Sequence, residues 1–355
     1  MADKGFPWVP GTATGIGSMP GTDPMEAARI IAGELPDLPH LAELPGRGPG
    51  ADLTGRAAAL LVDIPAEVTP RGWRIAERPG RDLRRARSLL SSDLDAMEEA
   101  LDGYAGPLKI QLAGPWTLAA TMEQPRSLNP ALADPGLVAD LASSLAEGAA
   151  AHVAEVAKRF PGATLVVQLD EPALPAVAAG GVPTPSGLSR VRAVDEEVLR
   201  ERLHEVLAAT GKYTLVHCCS RNLPFGIIIG AGADGVSFDL SQLQREDYDE
   251  LAAVAEAGAS LLVGALPDFS YPERAGVTPT DTAKAVREVW RKMALPPDRC
   301  AEQVVVTPAC GLAGASPSQA ADALRWCREA ARVLPEMMGE MALWSLPRHG
   351  SGTRS

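Results

Sequence analysis

Short apolar segments with the composition of β-strands alternate along this chain with helical segments, and this alternation restricts the fold more than any other feature. Several of the strand segments, such as Leu165-Val166-Val167, are apolar at every position, which is typical of parallel sheets covered by helices. Eight candidate strands are present, at residues 13–19, 38–44, 108–113, 164–170, 213–219, 235–240, 260–266 and 303–307. Eight strand-helix units predict a single (β/α)8 TIM barrel of the α/β class. The alternative is a doubly wound open sheet, but no glycine-rich phosphate loop follows the first strand in the required pattern.

The segments between the strands indicate one domain with an insertion. Helices are predicted at residues 24–33, 136–159, 196–210, 246–257, 280–293 and 316–334. The segment 65–81 contains Pro70, Gly72 and Pro79, which predicts a hairpin or an irregular loop, and a helix is expected at 83–102. Residues 64–105 are therefore expected to form an insertion between strands two and three of one barrel domain, residues 1–346. The polar segment 347–355 is expected to be a flexible tail.

The charge and cysteine content exclude several classes of partner. The formal net charge of -12 argues against nucleic acid and anionic membranes, which require a basic surface, and favours a small-molecule substrate. No apolar run approaches the roughly 18 residues of a membrane span, and the first ten residues do not resemble a signal peptide. Five cysteines, two of them adjacent, indicate reduced thiols rather than a disulfide framework. A cytoplasmic protein is expected.

Side chains capable of chemistry lie at the carboxyl ends of the predicted strands, or directly after them. They are Ser18, Glu43, Asp170, Glu171, His217, Cys219, Asp239 and Cys310. In a barrel these strand ends converge on one mouth, where the active sites of this fold lie. The sequence therefore predicts that these residues are close in space despite their separation along the chain.

The cysteines and one histidine predict a zinc site. His217 and Cys219 are two residues apart, so on a strand they point to the same face, whereas Cys218 points to the other. Cys310 would supply a second thiolate and Asp239 a carboxylate as the fourth ligand. Zinc held in this way makes a substrate thiol nucleophilic at neutral pH. The alternative is that these cysteines are small buried apolar residues and that the histidine is hydrogen-bonded in the core.

Four segments resemble the catalytic barrel of cobalamin-independent methionine synthase. They are residues 14–20 (TGIGSMP), 168–174 (QLDEPAL), 217–219 (HCC) and 307–312 (TPACGL), and their order and strand placement match over nearly the whole chain. The resemblance implies a barrel of the uroporphyrinogen decarboxylase-like superfamily. It also implies a zinc cofactor that binds the thiol of homocysteine, and methyl transfer from a methyl-folate to give methionine.

The resemblance places zinc binding on His217, Cys219 and Cys310. Asp239 stands where the family has a glutamate ligand, and its side chain is shorter by about one carbon-carbon bond. The resemblance implies substrate binding by residues Ile16, Gly17, Ser18, Glu43 and Asp170, and Trp116 is a further candidate for ligand binding. Asp170 and Glu171 are the expected catalytic pair.

Each of these polar residues also has an ordinary structural interpretation. Ser18 would cap the next helix, Glu43 would pair with Arg47, and Asp170 would accept backbone hydrogen bonds in its own turn. Trp116 would stack on a flat ligand or lie in the core.

Departures from the family pattern leave the donor open. The chain has room for one barrel where the long synthases have two, and residues 264–269 contain no histidine at the place where the family has one after strand seven. A tryptophan-rich segment associated with the folate is replaced by Gly114-Pro115-Trp116-Thr117. A folate or a corrinoid is therefore a possible donor partner.

Three other functions remain open. A zinc-dependent alkyltransferase would use the same chemistry with coenzyme M as the thiol, or with a methyl-corrinoid or an epoxide as the donor. A uroporphyrinogen decarboxylase-like lyase would share the barrel, but it calls for arginines near the first strand, where residues 11–20 offer none. A non-enzymatic zinc-binding module is the third.

Overall fold

A six-stranded parallel sheet forms the centre of the molecule. The computed structural model describes residues 5–267 and 278–345, with side chains up to residue 340, so the predicted tail and residues 268–269 lie outside the described part. The strands of this sheet follow one another in the order of the sequence. They are β3 (Pro107–Ala113), β4 (Thr164–Asp170), β5 (Tyr213–Cys218), β6 (Gly235–Asp239), β7 (Ser260–Leu266) and β8 (Val304–Pro308), after a separate two-stranded hairpin of β1 (Ala66–Thr69) and β2 (Gly72–Ile75).

Helices cover the sheet and join its strands, as the alternation of segments predicts. The described helices are α1 (Pro24–Glu34), α2 (Leu53–Leu60), α3 (Arg81–Ala100), α4 (Pro115–Thr121), α5 (Pro135–Arg159), α6 (Leu174–Ala178), α7 (Glu196–Thr210), α8 (Phe225–Gly230), α9 (Asp247–Glu256), α10 (Pro279–Lys292), α11 (Pro297–Gln303) and α12 (Pro317–Ser345). Among the helices of the described ranges, none combines the length and apolar character that a membrane crossing requires.

The first two predicted strands are not regular strands. Ala13 bridges Val306 of β8, His40 bridges Lys109 of β3, and Ser18 bridges Glu43, each as an isolated parallel pair. The segments contain Gly15 and Gly17 in one case and Pro39 in the other, and these residues weaken or interrupt a hydrogen-bonded ladder. The α/β class is confirmed, with a curled sheet of six regular strands rather than the predicted eight.

A hairpin and a long helix occupy the region of the predicted insertion. Strands β1 and β2 pair antiparallel, with Thr69 opposite Gly72 at the turn, and α3 follows. Gly72 has a φ of 130, a backbone conformation that L side chains rarely adopt. Trp73 is 2% exposed and donates its indole N–H to the carbonyl of Pro49 at 3.1 Å, which ties the hairpin to the segment before α2.

Along β4 and β5 the inner face of the curled sheet changes from apolar to polar toward the carboxyl ends. A buried cluster separate from the main core fills the level nearer the amino ends of the strands, and it consists of Trp8, Leu38, Val166, Leu215, Leu262 and Val305. Two residues further along β4 and β5 come Gln168 and His217, which point to the same face because side chains alternate along a strand. The polar inner level therefore lies toward the carboxyl ends of the strands, where the candidate site is found.

Candidate active site

A cavity of about 370 Å³ at the carboxyl edge of the sheet brings together eight of the predicted site residues. They are Ile16, Gly17, Ser18, Glu43, Asp170, His217, Cys219 and Cys310. Pro45, Asp52, Leu53, Pro172 and Gly311 complete the lining. The predicted residues Trp116, Glu171 and Asp239 do not line this cavity.

Two sulfur atoms and an imidazole form one cluster in the cavity wall. The Sγ atoms of Cys219 and Cys310 are 3.5 Å apart, and His217 also hydrogen-bonds the Cys310 sulfur. Hydrogen bonds from Cys219 and His217 lower the pKa of Cys310, whereas the same bond to Cys310, together with burial, raises the pKa of Cys219. Cys310 is therefore the thiol that loses its proton first. Cys218 belongs to the main hydrophobic core and is fully buried.

Ser237 orients the imidazole of His217. The two residues are register partners on β5 and β6, and the distance from His217 Nδ1 to Ser237 Oγ is 2.9 Å. With Nδ1 engaged by this hydroxyl, Nε2 is the ring nitrogen left for the sulfur cluster or for a metal. Ser237 is fully buried, so water does not compete for this bond.

The donor set fits zinc. Tetrahedral coordination with Zn–S bonds of about 2.3 Å separates two thiolate sulfurs by about 3.8 Å, close to the observed 3.5 Å between the Cys219 and Cys310 sulfurs. Two thiolates and one imidazole are ligands that zinc prefers. In the described part of the chain, no three His, Cys, Asp or Glu side chains form a ready-made metal centre, so the fit rests on the chemistry and spacing of these donors.

Asp239 makes hydrogen bonds within its own turn. Its carboxylate accepts from the backbone N–H of Ser241 at 2.8 Å and from the side-chain amide of Gln242 at 3.3 Å, and so caps the short 3₁₀ helix that follows β6. The predicted fourth zinc ligand is thus directed to its turn and not to the cavity.

Glu43 is held by Arg56 and Gln111. Glu43 Oε1 accepts from Gln111 Nε2 at 3.0 Å and lies 3.5 Å from Arg56 Nε. Arg56 also pairs with the buried Asp93 of α3 at 2.6 Å, and Arg47, the suggested partner of Glu43, pairs with Asp93 instead. A buried ionic network therefore connects the cavity to α3.

Asp170 is buried beside other charges. Its Oδ1 accepts a hydrogen bond from the side chain of Gln168 at 2.7 Å. Burial and the negative charge of Glu43 raise the pKa of Asp170 well above its usual value, and the ammonium of Lys109 opposes this shift. The position of Asp170 in the cavity lining leaves its carboxyl available to a bound molecule.

Glu171 and Trp116 make contacts that organise the start of α4. The Glu171 carboxylate accepts from the backbone N–H of Trp116 at 2.9 Å, and from the N–H and hydroxyl of Thr117 at 2.7 and 2.6 Å. Trp116 is fully buried and donates its indole N–H to the carbonyl of Leu199 at 3.1 Å. Trp116 thus occupies the core position that was one of its two interpretations.

Glycine at position 311 allows the backbone next to Cys310 to lie close to Ser18. A Cβ at this position would lie 1.9 Å from the hydroxyl oxygen of Ser18, which any side chain would displace. The backbone N–H of Leu312 also donates to the carbonyl of Ser18 at 2.8 Å. The N-cap of α1 is Asp23, so Ser18 does not cap that helix.

Sequence reasoning missed several residues that hold the predicted ones in place. Asp52 lines the cavity and caps α2 through the N–H of Gly55 at 2.6 Å. Lys109, Gln168 and Ser237 are fully buried polar residues in apolar strands. Strand alternation could have identified them. Each lies an even number of residues before the last residue of its strand, and so points to the same face as that residue.

The fold and the site together define a class: an α/β protein whose parallel sheet carries a thiol and imidazole cluster at its carboxyl edge, beside carboxylates in a small cavity. A family model described as "Cobalamin-independent synthase, Catalytic domain" matches residues 10–333. The chain belongs to this family, the catalytic domain of cobalamin-independent methionine synthases, as its motifs predict.

The solved structures show a related fold. A B12-independent methionine synthase from Shewanella sp. W3-18-1, in complex with selenomethionine, is 14% identical and superposes with a TM-score of 0.59, over 94% of this chain and 100% of that chain. At this identity the likeness shows the fold alone. A mandelate oxidase with (S)-mandelic acid is 17% identical over 90% of this chain and 95% of that chain, with a TM-score of 0.31 that supports no argument. Comparison with curated proteins finds no significant match.

Proposed function

We propose that this protein is a zinc-dependent methyltransferase that methylates the thiol of homocysteine to give methionine. The observation that carries the proposal is the cavity in which the sulfurs of Cys219 and Cys310 lie 3.5 Å apart, within reach of His217 and beside the carboxyl of Asp170. Family membership supports the reaction class.

His217, Cys219 and Cys310 are the proposed zinc ligands. Asp239 is proposed as the fourth ligand in the absence of substrate, which requires its carboxylate to leave the N–H of Ser241. When bound, zinc would lower the pKa of the substrate thiol from roughly 8.5 and leave its sulfur nucleophilic.

The other side of the cavity would bind the amino-acid part of homocysteine. Glu43 and Asp170 would accept hydrogen bonds from the ammonium group, and the backbone at Ile16, Gly17 and Ser18 would meet the carboxylate. This arrangement directs the thiol toward the sulfur cluster. The substrate sulfur then forms its bond to the methyl carbon as the bond between that carbon and the donor breaks.

Glu171 would contribute through Trp116 and Thr117 rather than by contact with the substrate. Its carboxylate is engaged by three donors at the start of α4. α4 follows β3, which carries Lys109 and Gln111 on the inner face.

The donor is proposed to be a methyl-folate whose bulk stays outside the cavity. A volume of about 370 Å³ lies near the lower end of small-molecule sites and accommodates an amino acid with little room to spare. Trp116 is buried and is not available for stacking on the donor. A methyl-corrinoid or an epoxide would present a carbon to the same sulfur.

Two of the alternatives gain little support from the cavity. Coenzyme M is anionic, whereas the lining contains the carboxyl groups of Glu43, Asp52 and Asp170 and, among the described residues, no lysine or arginine. The same composition disfavours a tetrapyrrole with acidic side chains, and with it a decarboxylase function.

We further propose that the segments 13–19 and 38–44 complete an eightfold barrel in a single domain, residues 1–346. Their parallel bridges to β8 and β3 support this closure. Five free cysteines among the described residues agree with a reducing compartment, and we propose the cytoplasm.

Metal analysis and a thiol titration test the proposal. The reduced protein should bind one zinc per chain, release about one proton on addition of homocysteine, and form methionine with one of the donors methyl-folate, methyl-corrinoid or a simple alkyl electrophile. Cys219→Ser should lose most of the zinc affinity, whereas Cys218→Ala should retain it because Cys218 lies in the core. Reconstituted protein without zinc, or full zinc binding by Cys219→Ser, would contradict the proposal.

A further inference from the structure

A buried lysine and glutamine lie on the inner face of the sheet, next to the cavity. Lys109 on β3 and Gln168 on β4 are both fully buried. Lys109 Nζ donates to the carbonyl of Ile16 at 2.8 Å and to Gln168 Oε1 at 2.8 Å. Neither residue lines the cavity, and neither has a role in the chemistry described above.

The two side chains connect two residues of the cavity wall, Ile16 and Asp170. Gln168 Nε2 donates to the carbonyl of Ile16 at 3.0 Å and to Asp170 Oδ1 at 2.7 Å. The carbonyl of Ile16 therefore has two donors, and one of them also holds the carboxyl of Asp170. Ile16 and Asp170 both line the cavity, so Gln168, held by Lys109, links these two parts of the lining through hydrogen bonds.

Lys109 also balances charge near the cavity. Burial lowers the pKa of Lys109 to about 8, while the negative charges of Asp170 and Glu43 oppose this shift. The lysine is therefore still mostly charged at neutral pH. Arg56 lies 3.5 Å from Glu43, so a buried cation is present near Glu43 as well as near Asp170.

A purely structural role does not explain this choice of residues. A buried ammonium loses its hydration even when it is hydrogen-bonded, so a lysine and a glutamine contribute little net stability here compared with apolar residues of the same size. Val166 and Leu215, the register partners of Lys109 and Gln168, are apolar and fully buried on the same inner face.

We propose that Lys109 and Gln168 are positioning residues that hold Asp170 and the backbone at Ile16 in the geometry that recognises the amino-acid part of the thiol substrate. This inference rests on the proposed function. The pair acts on the head of the substrate and not on the sulfur cluster, since within the described part of the chain its side-chain hydrogen bonds to other residues go to Ile16 and Asp170.

The test compares two thiols on the zinc-loaded protein by isothermal titration calorimetry. One thiol is L-homocysteine, and the other is 1-propanethiol, which is homocysteine without its ammonium and carboxylate groups. Lys109→Met and Gln168→Met should each weaken homocysteine binding by about 10- to 100-fold, the loss expected for a charge-assisted hydrogen bond. Binding of 1-propanethiol and zinc content should change by less than about threefold.

Thr307→Val is the matched control. Thr307 is a fully buried polar residue on β8 whose hydroxyl has no hydrogen-bond partner among the residues that the structure describes, so its removal should leave the ratio of the two affinities unchanged. An equal loss for both thiols, an unchanged ratio, or failure of both methionine variants to fold would overturn the inference. Absence of zinc or homocysteine binding by the wild-type protein would instead contradict the proposed function.

Discussion

Replacement of Glu171 by glutamine separates a structural role of this carboxyl from a catalytic one. Glu171 is fully buried and accepts hydrogen bonds from two backbone N–H groups and one hydroxyl at the start of α4. Glutamine has the same shape but is neutral, and it directs an amide N–H toward one of these donors. Glu171→Gln removes the ionisation of this group and leaves the cavity lining in place.

The magnitude of the effect follows from the pKa of Glu171. Burial raises this pKa from 4.5 to about 7, against hydrogen bonds from Thr117 and Trp116 that favour the ionised form. The folded protein therefore keeps a proton that the unfolded chain loses between pH 4.5 and pH 7. The stabilisation by this group is complete below pH 4.5. As the pH rises from 4.5 to about 7, the free energy of unfolding decreases by about 3 kcal/mol in total, at about 1.4 kcal/mol per pH unit.

Urea denaturation from pH 4 to pH 8 measures this contribution. All other ionisable groups are shared by wild type and Glu171→Gln, so their contributions largely cancel in the difference between the two free energies of unfolding. The stability of the wild type relative to the variant should fall by about 3 kcal/mol over this range and then level off. Parallel pH curves would refute the reasoning, and parallel curves combined with a loss of turnover would favour the catalytic role predicted from the sequence.

Two further substitutions test the contacts of the site. Arg56→Met should lower the free energy of unfolding by about 3–5 kcal/mol in urea denaturation, because it leaves the buried carboxylate of Asp93 with one cation fewer. The control Arg291→Met removes an exposed ion pair and should change the free energy of unfolding far less, so equal losses would contradict this account. Ser237→Ala should weaken zinc binding by about 10- to 100-fold in a competition with a chelator, since the Nδ1 of His217 loses its partner, and an unchanged affinity would count against the orienting role.

The regular strands were predictable because their apolar runs are continuous. Strands β4 and β7 have the predicted bounds, and β3, β5 and β6 differ from them by one residue. The segments 13–19 and 38–44 differ more, since glycines and a proline reduce their pairing to single bridges. Composition alone identified them as strands, whereas their hydrogen bonding depends on backbone conformations that an apolar pattern does not encode.

The positions of the candidate site residues were predictable where strand alternation determines which way a side chain points. Alternation along β5 placed Cys219 in the cavity wall and Cys218 in the core. The orientation of Asp239 depends instead on a local competition, because the N–H of Ser241 two residues later offers its carboxylate a nearer partner. The pairing of Glu43 with Arg56 joins two segments whose approach is fixed by the tertiary fold, so residue spacing alone suggested Arg47.

The apolar cluster on the inner face has a kinetic consequence for a reaction of two substrates. Trp8, Leu38 and Leu215 are among the side chains that fill the interior of the sheet below the polar level, so reactants reach the sulfur cluster from the opposite end. Two molecules that share one entrance must bind in sequence, and the one that sits deeper binds first. Steady-state kinetics should therefore show compulsory order, with the thiol preceding the methyl donor.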